Sequence, residues 1–306
     1  MKTVGDEWAV ARGFDTNRTP RMGAGMGEAG GRGRRELEAG SVSADEDARS
    51  RLISNRRARR LRRFWRMLPS APRCKICTSP FGPPVGPVLR LIGKGRWPGN
   101  PKYCGGCFRD LYRHREGAEV ECTLFFADIR GSTRLAESMP PSEFRELLDR
   151  FYATAAEVLV RHEAVVDKFV GDEVVGIFIP ALSGELHARR AIDAGIDLLR
   201  AADHSDGDPW VPIGIGVNTG TAYVGAVGTA EHVEFTALGD AVNVTARLAS
   251  AAGAGELLIT ESAARAAQFA AAGLAHRRLE LRGKTSATEV IVLSVGQATG
   301  DSLNVG

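Results

Sequence analysis

The stretch AVVDKFVGDEVVGIFI, residues 164–179, decides how this chain folds. Residues 164–169 and 174–179 are short apolar runs rich in β-branched side chains, and Val170-Gly171-Asp172-Glu173 between them carries a turn signal. That combination predicts a β-hairpin, so the sheet containing it is at least partly antiparallel. Working outward, ECTLFFADI at 121–129 reads as a buried strand, and residues 143–160 set Phe144, Leu147, Leu148, Phe151, Val158 and Leu159 on one helix face. Downstream, a helix over 186–201 groups Ala188, Ala191, Ile192, Ile196 and Leu199. Strands are predicted over 211–217 and 221–227, around a turn at Asn218-Thr219-Gly220. A helix over 240–251, a strand over 257–260, a short Ala-rich helix and closing strands over 277–281 and 289–294 complete the pattern. Interleaved strands and helices with a hairpin among them predict an α+β (mixed α/β) sandwich of one sheet with helices packed on it.

The 306 residues leave room for about two domains. At 43% hydrophobic and 25% charged, the chain is neither fibrous nor wholly disordered. No apolar run reaches the length of a membrane span, and the opening MKTVGDEWAVARGF lacks the apolar stretch of a signal peptide, which predicts a cytoplasmic protein. The net charge of +3 conceals a division: residues 1–117 carry 25 Lys/Arg and 11 Asp/Glu, a net of +14, and residues 118–306 carry 15 and 26, a net of −11. Such asymmetry points to separate modules. Residues 1–48, rich in Gly, Arg, Glu, Asp and Ser, read as a disordered tail, and 297–306 as a flexible C-terminus. Ten arginines and no acid fall between residues 49 and 73, where Leu61, Phe64, Trp65 and Leu68 recur at helical spacing. A basic amphipathic helix is expected over 49–70. Three uses fit it: docking on a neighbouring domain or packing in a dimer, lying on an anionic membrane surface, and binding nucleic acid.

Residues 71–117 form the next expected module. Cys74-Lys75-Ile76-Cys77 and Cys104-Gly105-Gly106-Cys107 are separated by 26 residues rich in Pro and Gly, too loop-like for a core of their own. Four thiolates at this spacing fit a structural Zn²⁺ site whose binding supplies the missing folding energy; an iron–sulfur centre, a redox-active dithiol and unliganded thiols are the alternatives. Cys122, in an apolar strand, reads as a small buried hydrophobe. The six histidines are scattered without ligand spacing.

Two carboxylates stand where strand ends meet turns. Asp128 closes an apolar strand ahead of Gly131-Ser132-Thr133, and Asp172 tips the hairpin after Gly171. Singly, Asp128 reads as a helix cap and Asp172 as a turn residue. Brought together they make a hard oxygen site suited to Mg²⁺ or Mn²⁺, and the loop 131–133 offers backbone N–H groups at a helix start, a cradle for phosphate.

Five blocks in order, FFADIRGST (125–133), KFVGDEVVGIF (168–178), GIGVNTGTAYVGAVG (214–228), TALGDAVNVTARL (236–248) and LRGK (281–284), resemble the catalytic domain of class III adenylate/guanylate cyclases over about residues 119–295. The resemblance implies a catalytic domain at 118–296 built on one mostly antiparallel sheet with a ferredoxin-like core. It implies that Asp128 and Asp172, with the carbonyl of Ile129, hold two Mg²⁺ or Mn²⁺ per active site. Asn243 and Arg247 match residues that orient the ribose and stabilise charge on the α-phosphate; Arg282 matches a residue that holds the terminal phosphates. Without the resemblance, Asn243, Arg247 and Arg282 read as solvated surface.

Base selection is implied at two positions. Lys168 matches the lysine of adenylate-specific members, and lysine can donate to adenine N1, which has a lone pair, but not to guanine N1, which carries a hydrogen. Thr236 stands where animal adenylate cyclases often have Asp, a departure seen in a bacterial-type subgroup; its hydroxyl can still accept from the adenine 6-amino group. Family active sites form between two catalytic domains and this chain has one, so a homodimer is required, with Asp128 and Asp172 from one subunit and Lys168, Thr236, Asn243 and Arg247 from the other. The expected activity is conversion of ATP to 3′,5′-cyclic AMP and pyrophosphate. The alternatives are a guanylate cyclase, or a catalytically weak nucleotide-binding signalling module with output through the N-terminal half. Gly214-Ile215-Gly216 and Gly283-Lys284-Thr285 look like nucleotide motifs but lack the required context, since the first opens no helix and the second has Arg278 where a phosphate loop needs glycine.

Overall fold

Residues 122–127 are buried without a break, as a strand covered on both faces must be. The computed structural model describes residues 50, 55–68, 72–97, 100–113, 117–204, 209–228, 233–280 and 287–294, with backbone alone at 100 and 111–113. The expected tail at 1–48 and C-terminus at 297–306 lie outside the described residues. The N-terminal part holds α1 (Arg56–Met67), α2 (Val85–Leu91), a ribbon of β1 (Arg96–Trp97) and β2 (Asn100–Cys104), and α3 (Gly105–Arg113). Then come β3 (Ala118–Ile129), α4 (Ser132–Ser138), α5 (Pro141–Arg161), β4 (Val165–Val170), β5 (Glu173–Phe178), α6 (Pro180–Ser183), α7 (His187–Ala201), β6 (Ile213–Gly228) and β7 (Val233–Leu238). The chain continues through α8 (Asp240–Ala251), β8 (Glu256–Thr260), α9 (Glu261–Ala266), β9 (Ala275–Leu279) and β10 (Thr288–Ser294).

The predicted hairpin is β4–β5. It forms one edge of a sheet ordered β4-β5-β3-β6-β8-β10-β9, with β7 pairing the second half of β6. Every pairing is antiparallel except β6 with β8. The fold is therefore the expected α+β arrangement of a mostly antiparallel sheet with helices packed on it.

Two expectations fail locally. Asn218-Thr219-Gly220 is no turn: β6 runs unbroken, with Asn218 opposite Leu124, Thr219 opposite Thr123 and Gly220 opposite Cys122. Turn propensity loses because the Asn218 side chain, instead of closing on its own backbone, donates to Ala241 O at 3.1 Å and accepts from Thr260 Oγ1 at 3.0 Å. Strand β7 is the second difference, since the pattern reading places no strand at Val233–Leu238 although Val233, Phe235 and Ala237 alternate there.

One sheet face packs Phe125, Ala127, Ile129 and Ile213 against Phe151 and Leu159 of α5 and Ile192 and Leu198 of α7. On the opposite face Val120, Cys122, Leu124 and Phe126 meet Tyr103 and Phe108 of the N-terminal part, Phe235 of β7 and Ala241 of α8. Contacts thus cross the expected boundary at 117–118. Full burial of two such aromatic side chains is worth roughly 3–6 kcal/mol. Cys122 is buried as expected.

Helix α1 docks on the end of α5, but through its arginines and Trp65 rather than through the whole of the expected apolar stripe. Arg62 is buried and donates to Ala164 O at 2.7 Å, while Arg66 donates to Val160 O at 2.9 Å and Arg161 O at 2.8 Å, the carbonyls that end α5. Glu163, 2% exposed, pairs with Arg66 at 3.1 Å and Arg63 at 3.3 Å. Trp65 is buried and Leu61 and Phe64 stay exposed. No helix among the described residues is long and apolar enough to cross a membrane.

Candidate active site

Asp128 ends β3, and Asp172 sits in the β4–β5 turn, where Gly171 at φ +59° takes the left-handed conformation that favours glycine. The turn is fastened on both sides. Ile129 N donates to Asp172 O at 3.2 Å, and Tyr152 on α5 donates its hydroxyl to Gly171 O and stacks on Phe169 at 4.6 Å. Glu173, opposite Asp128 in the ladder, completes an acidic cluster. Burial pushes Asp128 up to about 6, with Arg130 opposing and Asp172 adding to the shift. Burial likewise raises Glu173 to about 7, reinforced by Asp128 and Asp172, and its Oε1 is buried without a hydrogen-bond partner among the described residues. Arg130 bonds Asp128 Oδ2 and, through Nη1, Ser250 O at 2.8 Å. Crowded carboxyls, two of them raised and one with an orphaned oxygen, form a hard donor set short of positive charge, which Mg²⁺ or Mn²⁺ fits.

Three strands separate β4 from β7 in the sheet, yet the sheet curls until they touch. Thr236 Oγ1 donates to Asp167 Oδ2 at 2.7 Å, and Lys168 Nζ lies 3.5 Å from the same oxygen. Lys168 and Thr236 therefore meet at one buried carboxylate. Asp167 reaches that place because β4 bulges between Val166 and Lys168, a distortion that re-aims side chains. Its Oδ1 accepts from Lys75 Nζ at 3.0 Å. The same ammonium donates to Asp167 O at 2.7 Å and Phe235 O at 2.8 Å, and the Lys75 side chain is only 5% exposed.

On α8, Asn243 is exposed and Arg247, one turn later, is half-buried. Gly131, at φ +69°, precedes α4, whose first residues are Ser132 and Thr133. Arg282 lies outside the described residues. A concavity of about 450 Å³ lined by Asn218, Thr221, Asp240 and Glu261 contains none of these expected site residues.

The four cysteines converge, with all four Sγ atoms within 4.8 Å of one another. Cys77 and Cys104 Sγ lie 3.7 Å apart. That matches the edge of about 3.8 Å that Zn–S bonds of about 2.3 Å give a tetrahedron. Cys104 N donates to Cys74 Sγ at 3.3 Å and Cys107 N to Cys104 Sγ at 3.4 Å. Hydrogen bonds among the thiols pull Cys77 below the usual thiol range and Cys104 down to about 6, and hold Cys107 above it. Such crowding suits a soft dication.

Residues 116–294 match the family model for the adenylate and guanylate cyclase catalytic domain. The chain belongs to this family. Adenylate cyclase 1 of Rhizobium meliloti is 31% identical over 134 residues, 42% of this chain and 20% of that protein. The solved structure of the guanylyl cyclase Cya2 is similar at a TM-score of 0.53 and 27% identity, over 61% of this chain and 99% of that one. The adenylyl cyclase CyaB from P. aeruginosa gives 0.52 and 26%, over 62% and 100%. The matches span only 6% to 26% of the length of three curated relatives.

Sequence reasoning misses Arg130, Asp167 and Glu173 in the cyclase domain and Lys75 in the cysteine module that packs against it. Asp167 alone leaves a local signal, a charge at an inward position of an apolar strand. The acidic cluster has a pH consequence. Because Asp128 and Glu173 are raised in the fold, their contribution to stability is present at low pH and lost as pH climbs through about 6 to 7. A cation needs the deprotonated forms, so Mn²⁺ should raise the melting temperature by a few degrees at about pH 8 and markedly less at about pH 5.5. Paired melts with and without Mn²⁺ check this, and equal gains at both pH values would place the ion elsewhere.

Proposed function

We propose that two copies of this chain convert ATP to 3′,5′-cyclic AMP and pyrophosphate at sites formed between them. The observation that carries the choice of ATP is the meeting of Lys168 and Thr236 at Asp167. Lys168 donates to adenine N1, and Thr236 accepts from the 6-amino group. An adenylyl and a guanylyl cyclase are about equally similar to the chain, so base choice rests on these side chains.

Asp128, Asp172 and the Ile129 carbonyl hold two Mg²⁺ or Mn²⁺, which when bound neutralise triphosphate charge and acidify the ribose 3′-hydroxyl. From the other copy, Asn243 orients the ribose and Arg247 meets the negative charge that grows on the α-phosphate. Arg282 grips the terminal phosphates, and the N–H groups of Gly131, Ser132 and Thr133 face the phosphate chain. The 3′-oxygen bonds to the α-phosphorus as the bond to the bridging oxygen of pyrophosphate breaks, and the hydroxyl proton is released. Most of the catalysis is positioning, so residues split between two copies suffice. Purified protein assayed with Mn²⁺ should form cyclic AMP from ATP with kcat/KM roughly tenfold or more above that for GTP. No product from either nucleotide with a dimeric preparation would sink the reading.

The domain plan proposed alongside is a cyclase domain at 118–296 carrying residues 71–117 as a Cys₄ cover, in which Cys74, Cys77, Cys104 and Cys107 hold one structural Zn²⁺. Elemental analysis should find about one zinc per chain, lost in the Cys74→Ser/Cys107→Ser protein. Iron with visible absorbance in its place would replace zinc by an iron–sulfur centre.

A further inference from the structure

The Cys74–Cys77 loop does more than cover the sheet. Lys75, between its two cysteines, reaches the carboxylate on which Lys168 and Thr236 converge. Tyr103, next to Cys104, grips the same strand: its hydroxyl donates to Glu234 Oε2 at 3.0 Å and accepts from Phe235 N at 3.0 Å, on the two residues that precede Thr236. The thiol cluster is thus anchored to both strands that carry the base-recognising side chains.

We propose that Lys75 and Asp167 are specificity-determining positioning residues: the cysteine loop plants Lys75 against Asp167, and Asp167 in turn fixes Thr236 as a pure hydrogen-bond acceptor. This rests on the ATP reading above. An ionised carboxylate can only accept, so the Thr236 hydroxyl hydrogen points at Asp167 Oδ2 and only lone pairs remain for a purine. Lone pairs suit the 6-amino group of adenine and repel the 6-oxo group of guanine. A hydroxyl free to rotate serves either base and discriminates little. Lys75 secures the arrangement by neutralising a carboxylate that would otherwise be buried beside one partly exposed cation, Lys168. With Lys75 gone, Lys168 is the cation left to collapse onto Asp167, and it turns away from the base.

The test is equilibrium binding of 3′-deoxy-ATP and 3′-deoxy-GTP, which lack the attacking hydroxyl and cannot cyclise, to the full-length dimer. Wild type should prefer the adenine analogue. Asp167→Asn should shrink that preference about tenfold, because the amide can donate to Thr236 and free its hydrogen. Lys75→Met should weaken binding of the adenine analogue about tenfold as Lys168 is captured. The Lys75→Met/Asp167→Asn double variant, with no charge left buried and unpaired, should regain most of that affinity while keeping the relaxed preference, a rescue that a merely structural role would not produce. If Lys75→Met does not fold, Asp167→Asn and the double variant carry the test through their preference ratios. Unchanged preference in Asp167→Asn, losses in the double variant that simply multiply, or a wild type that prefers the guanine analogue would each overturn the proposal. Analogue binding keeps the two claims apart. Wild-type preference that vanishes in Asp167→Asn, in a protein that makes no cyclic AMP, supports the proposal and defeats the cyclase reading; preference retained by both single variants of an active cyclase does the reverse.

Discussion

Asp172→Ala protein should form cyclic AMP roughly 100- to 1,000-fold more slowly than wild type, a loss set by the several kcal/mol that a cation contributes to transition-state charge. Its melting temperature without divalent cation should stay the same or rise. The structural reason for that second half is specific. Asp172 sits in a turn held by Gly171, Ile129 and Tyr152, none of which uses its carboxylate. What the carboxylate does in the cation-free fold is add to the strain on Asp128 and Glu173, both already raised by burial. Removing it relieves that repulsion, and Mn²⁺ should then no longer stabilise the protein. Activity and melting curves with and without Mn²⁺ check both halves, and turnover equal to wild type would end the two-cation assignment.

Mixing two inactive proteins should restore activity. Asp172→Ala and Arg247→Ala remove residues assigned to opposite contributions to one site, so each homodimer has two broken sites. After subunit exchange about half the dimers are mixed, each with one intact site of two, and activity should climb to about a quarter of wild type. Asn243 is exposed and Arg247 half-buried on α8, where a second copy can meet them. Tagged subunits that demonstrably exchange without any recovery would show that each chain builds its site alone.

Much of this was legible in the sequence because the signals are local. The β4–β5 hairpin follows from two apolar runs about Gly171-Asp172, and the helix faces of α5 and α7 from their periodicity. Asp128 and Asp172 announce themselves as acids at the ends of apolar strands. The cysteine pairs announce a cluster by spacing alone. Where neighbours in space are distant in sequence, local reading misleads: Asn218-Thr219-Gly220 has turn chemistry, yet pairing with Leu124, Thr123 and Cys122 draws it into a continuous strand.

The sequence by itself therefore determined the kind of fold, the acid pair and the thiol set, each of which depends on residue type at short spacing. Only the tertiary structure decided what surrounds them. Asp167 meets Lys75 across 92 residues and Thr236 across 69, because the sheet curls to bring β7 over to β4 and the cysteine loop docks beside both. A buried carboxylate must find partners wherever the packed chain brings them, and no window along the sequence contains that choice.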